Sequence, residues 1–181
     1  MDAFESLVAM LLEREGYWTT TRFKVDLTSA EKCRIGRPSS PRWEIDVVAY
    51  KGSTNELLAV ECKSFLDSPG VVFRHGAFEP SSRYKLFTDA TLRNVVLRRL
   101  ARQLVRSGAC IARPRVNLCL AIGNVARRSD RTGLNAHFER NGWRLLDEAW
   151  LCERLGAAAD SAYQDDVAHV VAKLLLRNRA A

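Results

Sequence analysis

The sequence predicts an α/β protein in which a mixed central sheet is flanked by helices. Three observations support this: an amphipathic helix opens the chain, three strand-like segments follow it, and a long helical segment separates the third strand from a fourth. Strands joined by a short turn pair antiparallel, whereas a long helix between strands is typical of a crossover. The 181 residues suit one domain, and a hydrophobic content of 47% is enough for a core.

The first quarter of the chain predicts a helix, a strand and a loop. Residues 3–15 have the apolar spacing of a core-facing helix, with Asp2 as its candidate N-cap and Gly16 at its end. Residues 17–27 are rich in aromatic and β-branched types, which favours a strand. The polar segment 28–41 contains Gly and Pro and predicts a loop.

The middle of the chain predicts a strand pair, a crossover helix and a buried strand. The strands 42–50 and 57–65 are joined by the turn KGSTNE, and residues 66–81 have no regular pattern. A helix rich in Leu, Val and Arg is predicted within 83–107. In 115–122, large apolar residues alternate with small ones, so this strand can be covered on both faces.

The last third of the chain predicts further α and β elements. The predicted segments are a short helix near 132–141, a short strand near 143–146, and helices near 148–156 and 161–177. The first six main elements therefore follow the order α-β-β-β-α-β.

The strand pair WEIDVVAYKGSTNELLAVECKSF carries charge inside an apolar pattern. A turn centred on Ser53 and Thr54 predicts the opposed pairs Tyr50–Leu57, Val48–Ala59 and Asp46–Glu61. Directly opposed side chains have Cβ atoms about 4.5–5.5 Å apart, so the two carboxylates repel each other unless something neutralises them. Lys63 lies two residues beyond Glu61 and therefore shares its face.

Two explanations of this charge pattern remain open. A divalent cation such as Mg²⁺ prefers hard oxygen ligands, so two carboxylates and a nearby carbonyl form a suitable half-shell. A lysine beside it would orient an attacking water or stabilise charge on a phosphate. The alternative is a solvated hairpin face with ordinary ion pairs, and a register slip of one residue would also remove the opposition of the two acids.

The chain resembles the PD-(D/E)XK nuclease superfamily, in its resolvase-like and type IV restriction-like branch. The resemblance depends on Asp46 followed by Glu61-Cys62-Lys63 on the next strand, together with the order of elements. It implies a restriction-endonuclease-like αβββαβ core with extra C-terminal helices. Ile45 stands where the motif name has proline, which lowers the specificity of the motif.

The resemblance also implies a domain organisation and a set of roles. One nuclease-like domain would span 1–181, with its core in about 3–122 and an α/β extension in about 123–181. Asp46, Glu61 and the backbone carbonyl of Cys62 would bind Mg²⁺ or Mn²⁺, and Lys63 would assist the attacking water. Together, these roles imply that the protein hydrolyses phosphodiester bonds.

Glu5 is a further candidate ligand. Members of the superfamily often carry a glutamate in the first helix that joins the metal site, and Glu5 matches that place. The spacing from Asp2 to Glu5 also resembles a capping box, in which Glu5 would reach back to the N-terminal amides. Both interpretations stay open from the sequence.

The charge balance favours a polyanionic partner. The chain has 28 Lys and Arg against 21 Asp and Glu, a formal net charge of +7. Candidate nucleic-acid contacts are Arg74, Arg83 and Lys85 after the acidic strand pair, and Arg98 and Arg102 on one side of the crossover helix. The alternative for the helix arginines is a solvated face.

The cysteines and the N-terminus limit the class of protein. Five cysteines without a C-x-x-C or Cys/His cluster argue against a disulfide framework and a zinc site. The acidic N-terminal segment lacks the basic start that is expected of a signal peptide, and no apolar run approaches the roughly 20 residues that span a bilayer. We expect a cytoplasmic protein without a membrane partner.

The leading functional hypothesis is therefore a Mg²⁺-dependent DNA endonuclease. The alternative is a nucleic-acid-binding or partner-dependent module of the same fold, in a defence or repair complex, that does not cleave alone. A homodimer or another protein partner is open, because the helices after residue 148 would offer a docking face. The sequence does not select between DNA structures, or between DNA and RNA.

Overall fold

The computed structural model describes residues 2–39, 42–162 and 165–176. Its helices are α1 Ala3–Arg14, α2 Ser29–Arg34, α3 Lys85–Thr88, α4 Ala90–Arg106, α5 Arg128–Asn141, α6 Glu148–Asp160 and α7 Val167–Leu176. Its strands are β1 Trp18–Val25, β2 Trp43–Lys51, β3 Glu56–Lys63, β4 Val72–Arg74, β5 Ala77–Glu79, β6 Arg115–Ile122 and β7 Arg144–Leu146.

The main sheet is mixed and has five strands in the order β1-β2-β3-β6-β7. The first three strands pair antiparallel, and β6 then pairs parallel with both β3 and β7. The crossover from β3 to β6 contains α4, as the sequence predicts. The predicted fold class, a mixed sheet flanked by helices with further C-terminal helices, is confirmed.

Both faces of the sheet are covered, which explains the apolar run in β3. On one face, α1 and α6 pack with Val8, Leu12 and Leu151 against the strands. On the other face, residues of α4 and α5, including Leu100 and Phe138, complete a second core cluster. Burying apolar surface on both sides is the main stabilising contribution, at about 25 cal/mol per Å² removed from water.

The predicted register of the strand pair is confirmed where the two strands are paired. Tyr50 lies opposite Leu57 and Val48 lies opposite Ala59. Pairing ends at Val47 and Val60, one position before the two predicted acids. The acids therefore lie where β2 and β3 begin to separate, and not within the regular ladder.

Two predicted irregular segments contain short elements. The predicted loop 28–41 includes α2, because Thr28 accepts from the Glu31 amide and Glu31 accepts from the Thr28 amide, which is a complete capping box. Residues 66–81 include the hairpin of β4 and β5, with Phe73 opposite Phe78. Elements of three to six residues give little periodicity, so the pattern in the sequence does not predict them.

The C-terminal third follows the predicted order with shifted bounds. The helix expected near 132–141 begins four residues earlier, and the one expected near 148–156 continues to Asp160. In the part of the chain that the structure describes, no helix has both the length and the apolar character needed to cross a membrane.

Candidate functional site

Asp46, Glu61 and Lys63 converge where β2 and β3 separate. The Lys63 Nζ atom lies 3.9 Å from Asp46 Oδ2 and 3.8 Å from Glu61 Oε2. The side chains of Asp46, Glu61 and Lys63 are 22%, 16% and 25% exposed, respectively, so the cluster is largely buried and still open to solvent. One ammonium group therefore faces two carboxyl groups, so the cluster has excess negative charge when both are ionised.

An irregularity in the neighbouring strand accompanies the position of Asp46. Paired residues of β1 and β2 run from Thr21–Val47 to Phe23–Ile45, and Arg22 between them has a φ of +54°. A positive φ is uncommon for a residue other than glycine, and such strain often lies at functional sites. Asp46 Oδ2 accepts the backbone N–H of Cys62 at 2.7 Å, so a side chain takes the place of a ladder acceptor.

The electrostatics of Glu61 reflect the shortage of positive charge. Burial, and after it the charge of Asp46, raises the pKa of Glu61 to about 7, while Lys63 acts in the opposite direction. Desolvation and a like charge both disfavour an ionised carboxylate. A second cation in the cluster would favour the ionised carboxylate and so offset both effects.

Glu5 extends the acidic group from the α1 side. Its Oε2 atom is buried and has no hydrogen-bond partner. Burial is the first cause that raises the pKa of Glu5, and the charge of Asp46 is the second. An orphaned buried carboxylate oxygen is costly, which makes Glu5 a better candidate for cation binding than for a purely structural role.

Only the Asp2 half of the capping box that would involve Glu5 is present. Asp2 Oδ1 accepts the amides of Phe4 at 2.8 Å and Glu5 at 3.3 Å, so Asp2 is the N-cap. Among the described residues, the carboxylate of Glu5 does not accept the Asp2 amide, and the reciprocal half of the box is missing.

A small cleft opens beside the cluster. It has a volume of about 180 Å³ and is lined by Asp2, Phe4, Glu5, Cys62, Lys63, Ser64 and Phe65. A water molecule occupies about 30 Å³ in the liquid, so the cleft has room for several waters. Glu5 and Lys63 line it, whereas Asp46 and Glu61 do not. Burial raises the pKa of the Cys62 thiol well above its usual range, so the thiol stays protonated and only its backbone is suited to ligation.

The available donors are oxygen atoms, which suit a hard cation, but the side chains alone do not surround a metal ion. Within the described ranges, no group of three or more His, Cys, Asp or Glu side chains is arranged to hold a metal ion. Two carboxylates, one carbonyl and an auxiliary glutamate are oxygen donors, and Mg²⁺ usually keeps several waters beside one or two carboxylates. The orphaned Glu5 oxygen and the Asp46–Glu61 repulsion are the observations that favour this fit.

The predicted nucleic-acid contacts lie in two regions. Arg83 and Lys85 are exposed on the connection between β5 and α4, and Arg74 is half-buried at the end of β4 with an unpartnered Nε atom. Arg98 and Arg102 are exposed on α4, where they line a groove shared with the start of β6. The helix arginines are therefore in a different setting from the other three.

The sequence interpretation missed a glycine that supports the site. The Gly123 amide donates to the Lys63 carbonyl at 3.2 Å, and a Cβ atom at this position would lie 2.1 Å from the Ser64 carbonyl oxygen. The only signal for it in the sequence is a glycine directly after the apolar strand β6. That signal is also typical of an ordinary turn.

The fold and the site define a class of protein: a mixed α/β protein with two carboxylates and a lysine at the end of a central strand. No protein-family model matches the chain, and no curated protein matches it. Among solved structures, it is similar to the crystal structure of AF1548, a protein of unknown function, with 17% identity and a TM-score of 0.44. The match covers 84% of this chain and 65% of that one, so the chain spans less than two thirds of that neighbour.

Proposed function

We propose that the chain is a metal-dependent DNA endonuclease of the PD-(D/E)XK type. The observation that carries the proposal is the convergence of Asp46 and Glu61 on Lys63 at the carboxyl end of β3. A like-charged pair reduces stability, and it is expected where a cation or a phosphate compensates for it.

Each residue has a role that follows from its chemistry. Asp46, Glu61 and the Cys62 carbonyl would hold Mg²⁺ or Mn²⁺, with Glu5 as an auxiliary ligand directly or through a water. When bound, the cation supplies charge neutralisation at the scissile phosphate and lowers the pKa of a bound water. Lys63 positions the attacking water and places a positive charge where the transition state becomes more negative.

Basic residues near the acidic strand pair would contact the substrate. Arg83 and Lys85 are exposed, and neither forms an ion pair or hydrogen bond through its side chain within the described ranges. Together with Arg74 and a net charge of +7, they favour a phosphate backbone as the partner. Because phosphate contacts release counterions, we expect binding to weaken steeply with added salt.

The direct test is cleavage of supercoiled plasmid DNA by the purified full chain. We expect relaxed or linear product with Mg²⁺ or Mn²⁺, and none with EDTA or with Asp46→Asn. The asparagine keeps an oxygen that accepts the Cys62 amide, so loss of activity would report on charge and not on folding. Asp160→Asn, at the exposed end of α6, is the matched control and should cut normally.

Two outcomes would contradict the proposal. Cutting that persists in EDTA or in Asp46→Asn would remove the assigned metal site. Salt-sensitive DNA binding without any metal-dependent cleavage would instead favour the alternative, a binding module that does not cleave alone.

The raised pKa of Glu61 predicts how the metal-free stability depends on pH. The folded protein keeps a proton on Glu61 between about pH 4.5 and pH 7, where the unfolded chain has lost it. The folded state then binds more protons, so this group makes the free energy of unfolding fall as the pH rises through that range. We expect Glu61→Gln to flatten this dependence in urea unfolding measured in EDTA.

The same measurement at high pH separates a metal ligand from a solvated acid. Above pH 7 the ionised Glu61 destabilises the metal-free protein, so Glu61→Gln should be the more stable protein there. Added Mn²⁺ should stabilise the wild type more than the variant. Equal pH profiles for the two proteins would show that Glu61 titrates normally and is not confined beside Asp46.

A further inference from the structure

A groove with an apolar floor and a basic rim lies between α4 and the start of β6. Its volume is about 720 Å³, and its floor is formed by the half-buried side chains Leu97, Ala101, Val105, Pro114 and Val116. We call it the α4 groove. Leu97, Ala101 and Val105 follow each other at four-residue spacing, so they form one straight row of about 12 Å along the helix.

The rim of the α4 groove carries four arginines, of which Arg102 also interacts electrostatically with Glu31 at longer range. Arg98, Arg102 and Arg106 form a second row beside the apolar one, and Arg113 faces them across the groove. In the part of the chain that the structure describes, none of the four guanidinium groups forms an ion pair or a hydrogen bond. By contrast, Arg99 on the adjacent row donates to the Asp26 carbonyl and lies 3.8 Å from Glu31.

The α4 groove is separate from the site at the end of β3. Its Pro114 and Val116 side lies at the amino end of β6, where Arg115 pairs with Glu56. Lys63 pairs with Ile122 at the carboxyl end of the same strand, six residues from Val116 and therefore about 20 Å away. The groove is thus not part of the acidic cluster.

We propose that the α4 groove binds an acidic amphipathic helix of a partner protein. A helix of about three turns presents an apolar row that matches the floor, and carboxylates on both sides of that row match the unpaired arginines. Among the described residues that line the groove there is no aromatic side chain. Single strands of nucleic acid are usually held by aromatic stacking, and duplex interfaces are more polar, so the aliphatic floor favours a protein segment.

The proposal is tested with designed peptides and the full chain. The first probe is a fluorescein-labelled peptide of 14 residues with leucines along one helical face and glutamates beside them, and the second has lysines in place of the glutamates. We expect fluorescence anisotropy to show binding of the glutamate peptide and at least about tenfold weaker binding of the lysine peptide. Ala101→Glu should weaken binding of the glutamate peptide by a similar factor.

A charge exchange makes the test independent of folding defects. The double variant Arg98→Glu, Arg102→Glu should no longer bind the glutamate peptide and should instead bind the lysine peptide. An unfolded protein would not show this exchange of affinity. Glutamate-peptide affinity that is unchanged in this variant would overturn the proposal.

The same assay identifies the other occupants. A single-stranded oligonucleotide of 14 nucleotides that binds the wild type through Arg98 and Arg102, when the glutamate peptide does not, would make the groove a nucleic-acid surface. A dimer in light scattering that the double variant dissociates would make it a contact between two copies. Either result would overturn the proposal and would leave the assignment of Asp46, Glu61 and Lys63 untouched.

Discussion

Lys63→Ala is expected to reduce metal-dependent plasmid cleavage by a factor of about 10² to 10³ or more, because it removes the ammonium group that lies beside both Asp46 and Glu61. The Nζ atom lies within 4 Å of both carboxylates, close to where a metal-bound water and a phosphate would meet. In the proposed mechanism, its loss would remove charge stabilisation from the transition state and the group that orients the water. The measurement is the initial rate of nicking at saturating Mn²⁺.

Lys63→Ala should lose catalytic activity but should still fold and bind DNA. Without Lys63, the repulsion between Asp46 and Glu61 in the metal-free protein grows, so we expect lower stability in EDTA that added metal largely restores. DNA affinity measured in Ca²⁺ should change little. Lys24→Ala, in an exposed lysine of β1, is the matched control and should cut at the wild-type rate.

Lys63→Arg separates charge from position. The guanidinium keeps the charge but is planar and larger than the ammonium, so it does not reproduce a point charge 3.8 Å from Glu61. We expect partial activity at most. Wild-type cutting by a clean preparation of Lys63→Ala would show that the residue is only a structural counter-ion and would refute its role in the proposed mechanism.

The pairing of the two strands was predictable once the position of the turn between them was assumed. The apolar run from Leu57 to Val60 must be buried on both faces, and a turn at Ser53 and Thr54 then fixes which residues are opposed. That reasoning predicts the observed pairs of Tyr50 with Leu57 and Val48 with Ala59. Extending the same register by one position predicts that Asp46 and Glu61 approach each other, although the observed pairing already ends at Val47 and Val60.

The sequence could not predict how the strands separate at the site. The left-handed conformation of Arg22 and the bond from the Cys62 amide to Asp46 depend on contacts between three strands, and none of them leaves a local pattern. Glu5 is similar, since a glutamate in the first turn of a helix is equally expected in a cap. Only the packing of α1 shows that its Oε2 atom is buried without a partner.

The fold places the two groups of predicted nucleic-acid contacts in different surroundings. Helical spacing correctly places Arg98 and Arg102 on one side of α4, but spacing does not show what lies beside them. The fold adds the start of β6 and turns a basic helix face into a groove with an apolar floor. The sequence pattern therefore predicts a row of arginines along the helix. The kind of partner that this row could bind depends on the neighbouring strand, which only the tertiary structure shows.

Gly123→Ala is expected to cost about 3 kcal/mol of unfolding free energy, because the new Cβ atom has no space. It would lie 2.1 Å from the Ser64 carbonyl oxygen and 2.9 Å from Leu66 Cδ2. The leucine side chain can turn away, whereas the Ser64 carbonyl belongs to the backbone directly after Lys63. Relief of the clash must therefore displace the end of β3 or the loop after β6.

The displacement couples stability to the site. Because the Gly123 amide also donates to the Lys63 carbonyl at 3.2 Å, a shift at this point would change the position of the lysine relative to Asp46 and Glu61. We expect a melting temperature lower by about 5–10 °C in calorimetry. We also expect weaker cleavage at temperatures where the variant remains folded, since a misplacement of about 1 Å can cost 10²-fold in rate.

Gly156→Ala is the matched control, because the same change there meets open space. Gly156 lies inside α6, and apart from its two chain neighbours and the nearby backbone of its own helix, no described atom comes within 4 Å of the place that the new Cβ atom would take. Alanine is the better helix former by roughly 0.8–1 kcal/mol, so this variant should be slightly more stable than the wild type and cut equally well. If Gly123→Ala were as stable and as active as Gly156→Ala, the close approach of the two loops behind Lys63 would be disproved.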